Sequence, residues 1–418
     1  MKIAIAIAAC ALLSTPALAQ DAEAIAAAAL DAAPVWDGHN DVPYQLRGRF
    51  SNMIGDFDFA DTGDTGGETR SAMHTDILRL ERGKVGAQFW SVYVSASLPE
   101  PEAVQTTIEQ IDVTKRLIAR YPGRLSFALT ADDVAQAVEA GRIASLLGME
   151  GGQSIGSSLA VLRQMHDLGA RYMTLTHSKT LSWADSATDE ARHDGLNAFG
   201  MDVVREMNRI GMIVDLSHVS EAAMHDALDA ARAPVIFSHS GARGISGHPR
   251  NVPDSVLERL PDNGGIAMVV ALPAFLRDDV AAWSSLRGAE IARLMELHGG
   301  DQEAARPAYD AWLAANPEPK ATIADMADHI DHIRNIAGVD HIGIGGDYDG
   351  MPSGPVGMED VTGYPALFVE LARRGYTQSE LEKISMGNMM RVMRAVEARA
   401  EASRGGDPVE YPVGEPRD

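Results

Sequence analysis

Val35-Trp36-Asp37-Gly38-His39-Asn40-Asp41 is an apolar approach that ends in a histidine and an aspartate two residues apart. Side chains alternate faces along an extended strand, so His39 and Asp41 project the same way and make half of a site for a divalent metal. Taken alone, the pair reads equally well as a surface turn after a strand. Its weight comes from the rest of the chain, where other strand-length apolar runs finish in the same kind of residue.

Eight such runs are present: Val35-Trp36, Val85 to Val94, Ile143 to Met149, Tyr172 to Thr176, Met212 to Leu216, Val235 to Phe237, Ile266 to Leu272 and Ile342 to Ile344. Most are apolar on both faces, as a parallel sheet covered by helices requires. Between them lie helical patterns at Ala103 to Ala119, Leu159 to Leu168, Ala198 to Ile210, Glu221 to Ala231 and Ile323 to Ile336. Strands alternating with helices at this length predict an α/β fold, a (β/α)8 TIM barrel. Two connections are long. Gly48 to Thr75, rich in Asp, Gly and Thr, reads as an ordered cover loop or a mobile flap. Residues 277–319, between the seventh and eighth strands, carry Trp283, Leu286, Leu294, Met295 and Trp312 and read as a helical insertion serving as lid or subunit interface.

In such barrels the chemistry sits where the strands end. Those ends carry His39 and Asp41, Glu150, His177, His218, His239, and finally Asp347 and Asp349. His74, His166, His193, His225, His298, His329 and His332 fall in loops or helices and read as solvated or capping residues, while His341 opens a strand at the opposite face. Carboxylates gathered at one barrel mouth repel one another and take up protons unless a cation joins them. Two metals sharing a carboxylate account for so many donors. The pattern therefore predicts a binuclear centre, most plausibly two zinc ions, with Zn–N distances of about 2.0–2.1 Å and the metals roughly 3.5–4 Å apart.

Composition narrows the partners. The 418 residues hold 36 Lys plus Arg against 59 Asp plus Glu, a net charge of −23. So acidic a chain repels nucleic acid and anionic membranes, which leaves small molecules. Residues 1–19 read as an export signal: Lys2, an apolar run from Ile3 to Leu13, and Ala17-Leu18-Ala19 as the cleavage site. The run is too short to span a bilayer. Cys10, the only cysteine, lies inside it, very early for a lipid-attachment residue. The processed chain then has no thiol, which excludes disulfides and thiolate chemistry. The expected organisation is a signal at 1–19, one barrel over 20–402 and a polar tail at 403–418, in a soluble periplasmic or secreted protein without a transmembrane anchor.

Several stretches together resemble the membrane (renal) dipeptidase family of zinc peptidases, within the amidohydrolase superfamily. They are Asp37-Gly38-His39-Asn40-Asp41, Gly86 to Tyr93, Glu150-Gly151-Gly152, Tyr172 to His177, Asp215-Leu216-Ser217-His218, Phe237-Ser238-His239-Ser240, Arg250 to Asp254 and Gly345 to Gly350. The resemblance runs in order from about Val35 to Val392. It implies a binuclear zinc dipeptidase in which His39 and Asp41 hold one zinc, His218 and His239 the other, and Glu150 bridges. It further implies that His177 meets the scissile carbonyl oxygen, that Arg250 binds the substrate carboxylate and that Asp347 moves protons. Asp349 shares the strand parity of Asp347, so spacing alone does not choose between them; the family pattern does. Arg250, in a Pro- and Asn-rich loop, would otherwise read as a surface arginine. The family also implies a homodimer. Unlike its animal members, this chain has neither thiols for disulfides nor a lipid-anchor signal. After the seventh strand it reads Val270-Ala271-Leu272-Pro273-Ala274-Phe275, where the mammalian pattern is polar and contains tyrosine, so substrate preference does not transfer.

The mechanism implied is attack by a metal-bridging hydroxide on the peptide carbonyl of a small dipeptide. His177 meets the charge growing on oxygen, and Asp347 shuttles the proton to the leaving amine. An arginine gripping the free carboxylate beside the scissile bond limits the leaving part to one residue. Gly152-Gln153-Ser154-Ile155-Gly156 matches the serine-hydrolase elbow, but Glu150 is better placed and no histidine follows Asp347 to complete the usual order. The other readings are a related amidohydrolase acting on N-acyl amino acids or another small amide, and a non-catalytic periplasmic binder of metal or peptide.

Overall fold

The computed structural model describes residues 15–67 and 71–412, with backbone alone for 15–20. The expected export signal lies outside the described residues except for 15–19, whose backbone opens the helix Thr15–Ala32. The last six residues of the expected tail lie outside them too.

Nine strands form among the described residues: β1 (Val35–Asn40), β2 (Val85–Ser91), β3 (Leu125–Phe127), β4 (Ile143–Glu150), β5 (Ala170–Thr174), β6 (Ile213–Asp215), β7 (Ile236–Ser240), β8 (Ile266–Val269) and β9 (Ile342–Ile344). Eight of them close a parallel ring in the order β2-β1-β9-β8-β7-β6-β5-β4, shut by pairing of β2 with β4. The (β/α)8 barrel stands. The ninth, β3, corrects the count of eight: it pairs with Ile143 to Ser145 of β4, below the point where β5 takes over that edge at Leu147. Ser126 interrupts Leu125 and Phe127, so the segment does not read as a continuous apolar run.

Strand ends also move. The run to Val94 stops pairing at Ser91 and the run to Leu272 stops at Val269, whereas β1 and β7 extend through His39-Asn40 and His239-Ser240. Backbone ladders decide these limits: Asn40 pairs with Trp90, and Ser240 with Val269, whatever their polarity.

Two apolar clusters result. One lies between the ring and the surrounding helices. The other includes Trp36, Phe89, Leu146, Tyr172, Ile236 and Met268, joined by Met386, Met389 and Met393. Gly148 makes room for this second packing, since a Cβ there would lie 2.0 Å from Cζ of Tyr172.

Both long connections are ordered over their described residues. In the cover loop, Phe57 and Phe59 are buried, and Phe59 meets Trp90 edge-on at 5.7 Å. Residues 68–70 lie outside the described residues. The insertion is a pair of helices, Asp278–Leu297 and Gln302–Ala315, held by Trp283, whose indole donates to the Asn316 carbonyl at 2.9 Å. Part of the expected polar tail also docks. Tyr411 donates to Asp202 at 2.7 Å, and the Val409 carbonyl accepts from Arg163 at 3.3 Å.

Candidate metal centre

Glu150 ends β4 with its carboxylate at the middle of the barrel mouth. One oxygen, Oε2, lies 3.4 Å from Nε2 of His39. The other, Oε1, lies 3.0 Å from Nε2 of His218, 3.5 Å from that of His239 and 3.6 Å from that of His177. Asp41 Oδ2 approaches His39 Nε2 at 3.3 Å. Among the described residues, three groups of donors lie close enough to hold an ion: His39 with Glu150 and His239, Glu150 with His177 and His218, and His39 with Asp41 and Asp347. Of the nine residues singled out in the sequence, all but Arg250 and Asp349 therefore enter a donor group. Geometry alone admits His177 and Asp347 as ligands as readily as the other five.

The turns beyond the strands aim these side chains. His218 and Asp347 adopt φ of 71° and 62°, as does Asp349 at 67°. Such left-handed backbone costs about 1–3 kcal/mol for a residue with a Cβ and persists only where its surroundings impose it. Both aspartates share this backbone, and their partners separate what parity left equivalent. Asp347 turns to His39 and Asp41, whereas Asp349 accepts from the His74 backbone at 2.8 Å and its own N–H donates to His74 Nδ1 at 3.1 Å. Asp349 thus clasps the cover loop. His74, read as solvated or capping, is buried in that clasp, and His329 is buried as well.

The donor set fits a divalent cation. His39 Nε2 is buried without a hydrogen-bond partner among the described residues. Its other nitrogen, Nδ1, is 2.8 Å from the Tyr172 hydroxyl, so Nε2 is the one offered to the site. Burial alone would push the His39 imidazole down, but Tyr172, Glu150 and Asp41 lift it well above the ordinary range. Burial raises the Asp347 carboxyl well above its usual value; His39 opposes this, while Asp41 and Glu150 reinforce it. Glu150 runs the other way: against burial, His39 and His177 together with hydrogen bonds from His218 and His39 hold it well below. Burial keeps His218 and His239 neutral, each reinforced by Arg250. His39 and Asp347 thus gather protons where a positive charge is wanted, and a divalent ion meets the same need.

Arg250 corrects the surface reading. It is 3% exposed, with Nη1 3.4 Å from Ser240 Oγ, Nη2 3.3 Å from the His239 carbonyl and Nε unpartnered among the described residues. Phe275 lies 5.2 Å below the guanidinium. Burial pushes Arg250 down to about 10, opposed by Asp347, Glu150 and Asp215, so it stays charged at neutral pH. Its unused donors suit an anionic ligand. Tyr93 walls the other side, 4.6 Å from the His177 ring.

Residues behind the donors carried no role in the sequence reading. Ser91 donates to Glu150 Oε2 at 3.1 Å, Tyr172 backs His39, and Asp215 sits fully buried among hydroxyls. A carboxylate inside the apolar strand Ile213-Val214-Asp215 was the signal available for the last of these.

The sequence profile described as membrane dipeptidase (peptidase family M19) matches residues 23–405. A dipeptidase of Claviceps purpurea (strain 20.1) is 41% identical over 382 residues, covering 89% of this chain and 79% of that one. Dipeptidase 3 of Rattus norvegicus is 39% identical over 382 residues, covering 90% and 68%. In fold, the chain is similar to the probable dipeptidase PvdM from Pseudomonas aeruginosa, with a TM-score of 0.75 at 24% identity over 92% of this chain and 100% of that one. It is also similar in fold to a metallo peptidase from Rhodobacter sphaeroides solved with a phosphinate mimic of the dipeptide L-Ala-D-Ala. There the TM-score is 0.69 at 23% identity, over 87% and 99%.

Proposed function

The chain belongs to the membrane dipeptidase family, peptidase family M19, and from that premise we propose that it is a binuclear zinc dipeptidase. His39 and Asp41 would hold one ion, His218 and His239 the other, with Glu150 shared between them. The observation that carries this reading is the split of the Glu150 carboxylate, one oxygen toward His39 and the other toward His218 and His239. The metals would supply positive charge that acidifies water and polarises the carbonyl.

The chain's own groups do the rest. Arg250 fixes the substrate's free carboxylate through its unused N–H donors. His177, at the edge of the donor cluster and beside Tyr93, donates to the oxygen on which charge develops, an effect worth about 3–4 kcal/mol per donor. Asp347 takes the proton as water adds to the carbonyl carbon and returns it to the amine as the C–N bond breaks. Residues 1–19 direct export, and the chain acts as a homodimer. No helix among the described residues is long and apolar enough to cross a membrane.

The test is metal content per chain together with hydrolysis of L-Ala-L-Ala, L-Ala-D-Ala and N-acetyl-alanine. Two zinc ions and cleavage of a dipeptide are expected. Cleavage of N-acetyl-alanine alone would shift the reading to an N-acyl amino acid amidohydrolase. Metal binding without any hydrolysis would make the protein a binder.

A further inference from the structure

Behind the donor cluster runs a chain of short hydrogen bonds from Asp215 to Ser238 to His239. Asp215, at the end of β6, is fully buried and accepts four donors. Oδ1 takes the backbone N–H groups of Ser217 at 3.1 Å and Ser238 at 2.8 Å. Oδ2 takes the hydroxyls of Thr174 at 2.5 Å and Ser238 at 2.6 Å. Ser238 Oγ in turn lies 2.9 Å from Nδ1 of His239.

A serine hydroxyl has one proton. The carboxylate at 2.6 Å claims it over the Ser217 hydroxyl at 3.4 Å, because a charge-assisted bond is the stronger. Ser238 Oγ can then meet His239 Nδ1 only as an acceptor, so Nδ1 carries the imidazole proton. Nε2 is left with its lone pair facing Glu150 and His218, at 3.5 and 3.0 Å.

We propose that Asp215 is a positioning residue that acts through Ser238 to hold His239 in the Nδ1–H tautomer, the one able to ligate a metal through Nε2. The inference rests on the proposed metallopeptidase reading and deepens it. It assigns to a carboxylate that touches no ligand atom of the cluster the control of one ligand's proton.

The geometry supplies its own test in Asp215→Asn. The two backbone donors at Oδ1 oblige the amide to put its oxygen there, so its NH2 occupies the Oδ2 position. That NH2 donates to Ser238 Oγ, which frees the serine proton. Its best acceptor is His239 Nδ1 at 2.9 Å, and the imidazole proton moves to Nε2, where it blocks the metal.

Full-length wild-type and D215N proteins are stripped with chelator, then compared by zinc titration against a competing chelator, by thermal melting of the apo forms and by ¹⁵N NMR of labelled histidine. The expected result is an apo melting temperature near wild type, one zinc site weakened about ten- to hundredfold, and a histidine that changes tautomer. Wild-type zinc affinity at both sites in D215N would overturn the relay. If D215N fails to fold, Ser238→Ala cuts the same link and should weaken the same site; unchanged affinity there overturns the relay equally. A wild-type chain that takes up no zinc overturns the metallopeptidase reading itself, a different failure from that of the relay.

Discussion

Two residues at the mouth can be separated by their kinetics. Asp347→Asn keeps the shape and removes the proton carrier, so kcat should fall about 10²- to 10⁴-fold while metal content per chain stays at the wild-type value. A variant that loses metal in step with activity would make Asp347 a ligand, as its place beside His39 and Asp41 allows. Arg250→Lys retains a charge but loses the fork, and charge-assisted bonds to a buried carboxylate are worth about 1.5–3 kcal/mol. A rise in KM of roughly ten- to hundredfold on dipeptides follows. The same variant should differ little from wild type on a dipeptide amide, which has no carboxylate to lose. Equal losses on both substrates would remove Arg250 from carboxylate binding.

At the scale of elements, the helix Ile323–Ile336 is tied to the barrel by one imidazole. His329 Nδ1 accepts from the Ala242 backbone at 2.8 Å and its Nε2–H donates to the Leu276 carbonyl at 3.1 Å. Both nitrogens are committed in the neutral form, and burial lowers the pKa below the usual 6.5. The unfolded chain therefore takes up the proton first as the solution is acidified. Stability from this group is whole above pH 6.5 and is lost as pH falls from there through the lowered folded value. His329→Gln should cost about 1–3 kcal/mol at pH 7.5 from misplaced buried partners. It should also show a smaller drop in melting temperature than wild type between pH 7.5 and 5.5. Parallel curves would mean that His329 does not titrate in that window. Elsewhere, burial of the Phe57 and Phe59 rings, worth about 1.5–3 kcal/mol each, explains why a loop rich in Asp, Gly and Thr holds its shape.

For the whole molecule, the donor groups belong to six different strand ends and are brought together only by closure of the ring. A ligand that binds the native state alone stabilises it in proportion to the logarithm of its concentration. Free zinc at a hundredfold excess over its dissociation constant should therefore add about 2.7 kcal/mol per site. Chelation should lower the melting temperature, and zinc added back should restore it. A melting temperature indifferent to chelator in a protein shown to have lost its metal would separate the centre from the stability of the barrel.

Strand parity and apolar run length are local properties, which is why the barrel, the donors at its strand ends and the two long connections were legible in the residues themselves. His39 and Asp41 needed only the two-residue repeat of an extended chain. Other facts needed the closed ring. The place of Glu150 among four imidazoles, the burial of Arg250, the clasp of Asp349 on His74 and the relay from Asp215 to His239 all join residues distant along the chain. The different partners of Asp347, grouped with His39 and Asp41, and of Asp349, bonded to His74, are set by the fold and not encoded in sequence spacing. Periodicity tells which way a side chain points from its own strand; what it meets there depends on the neighbouring strands, and only the folded barrel supplies those.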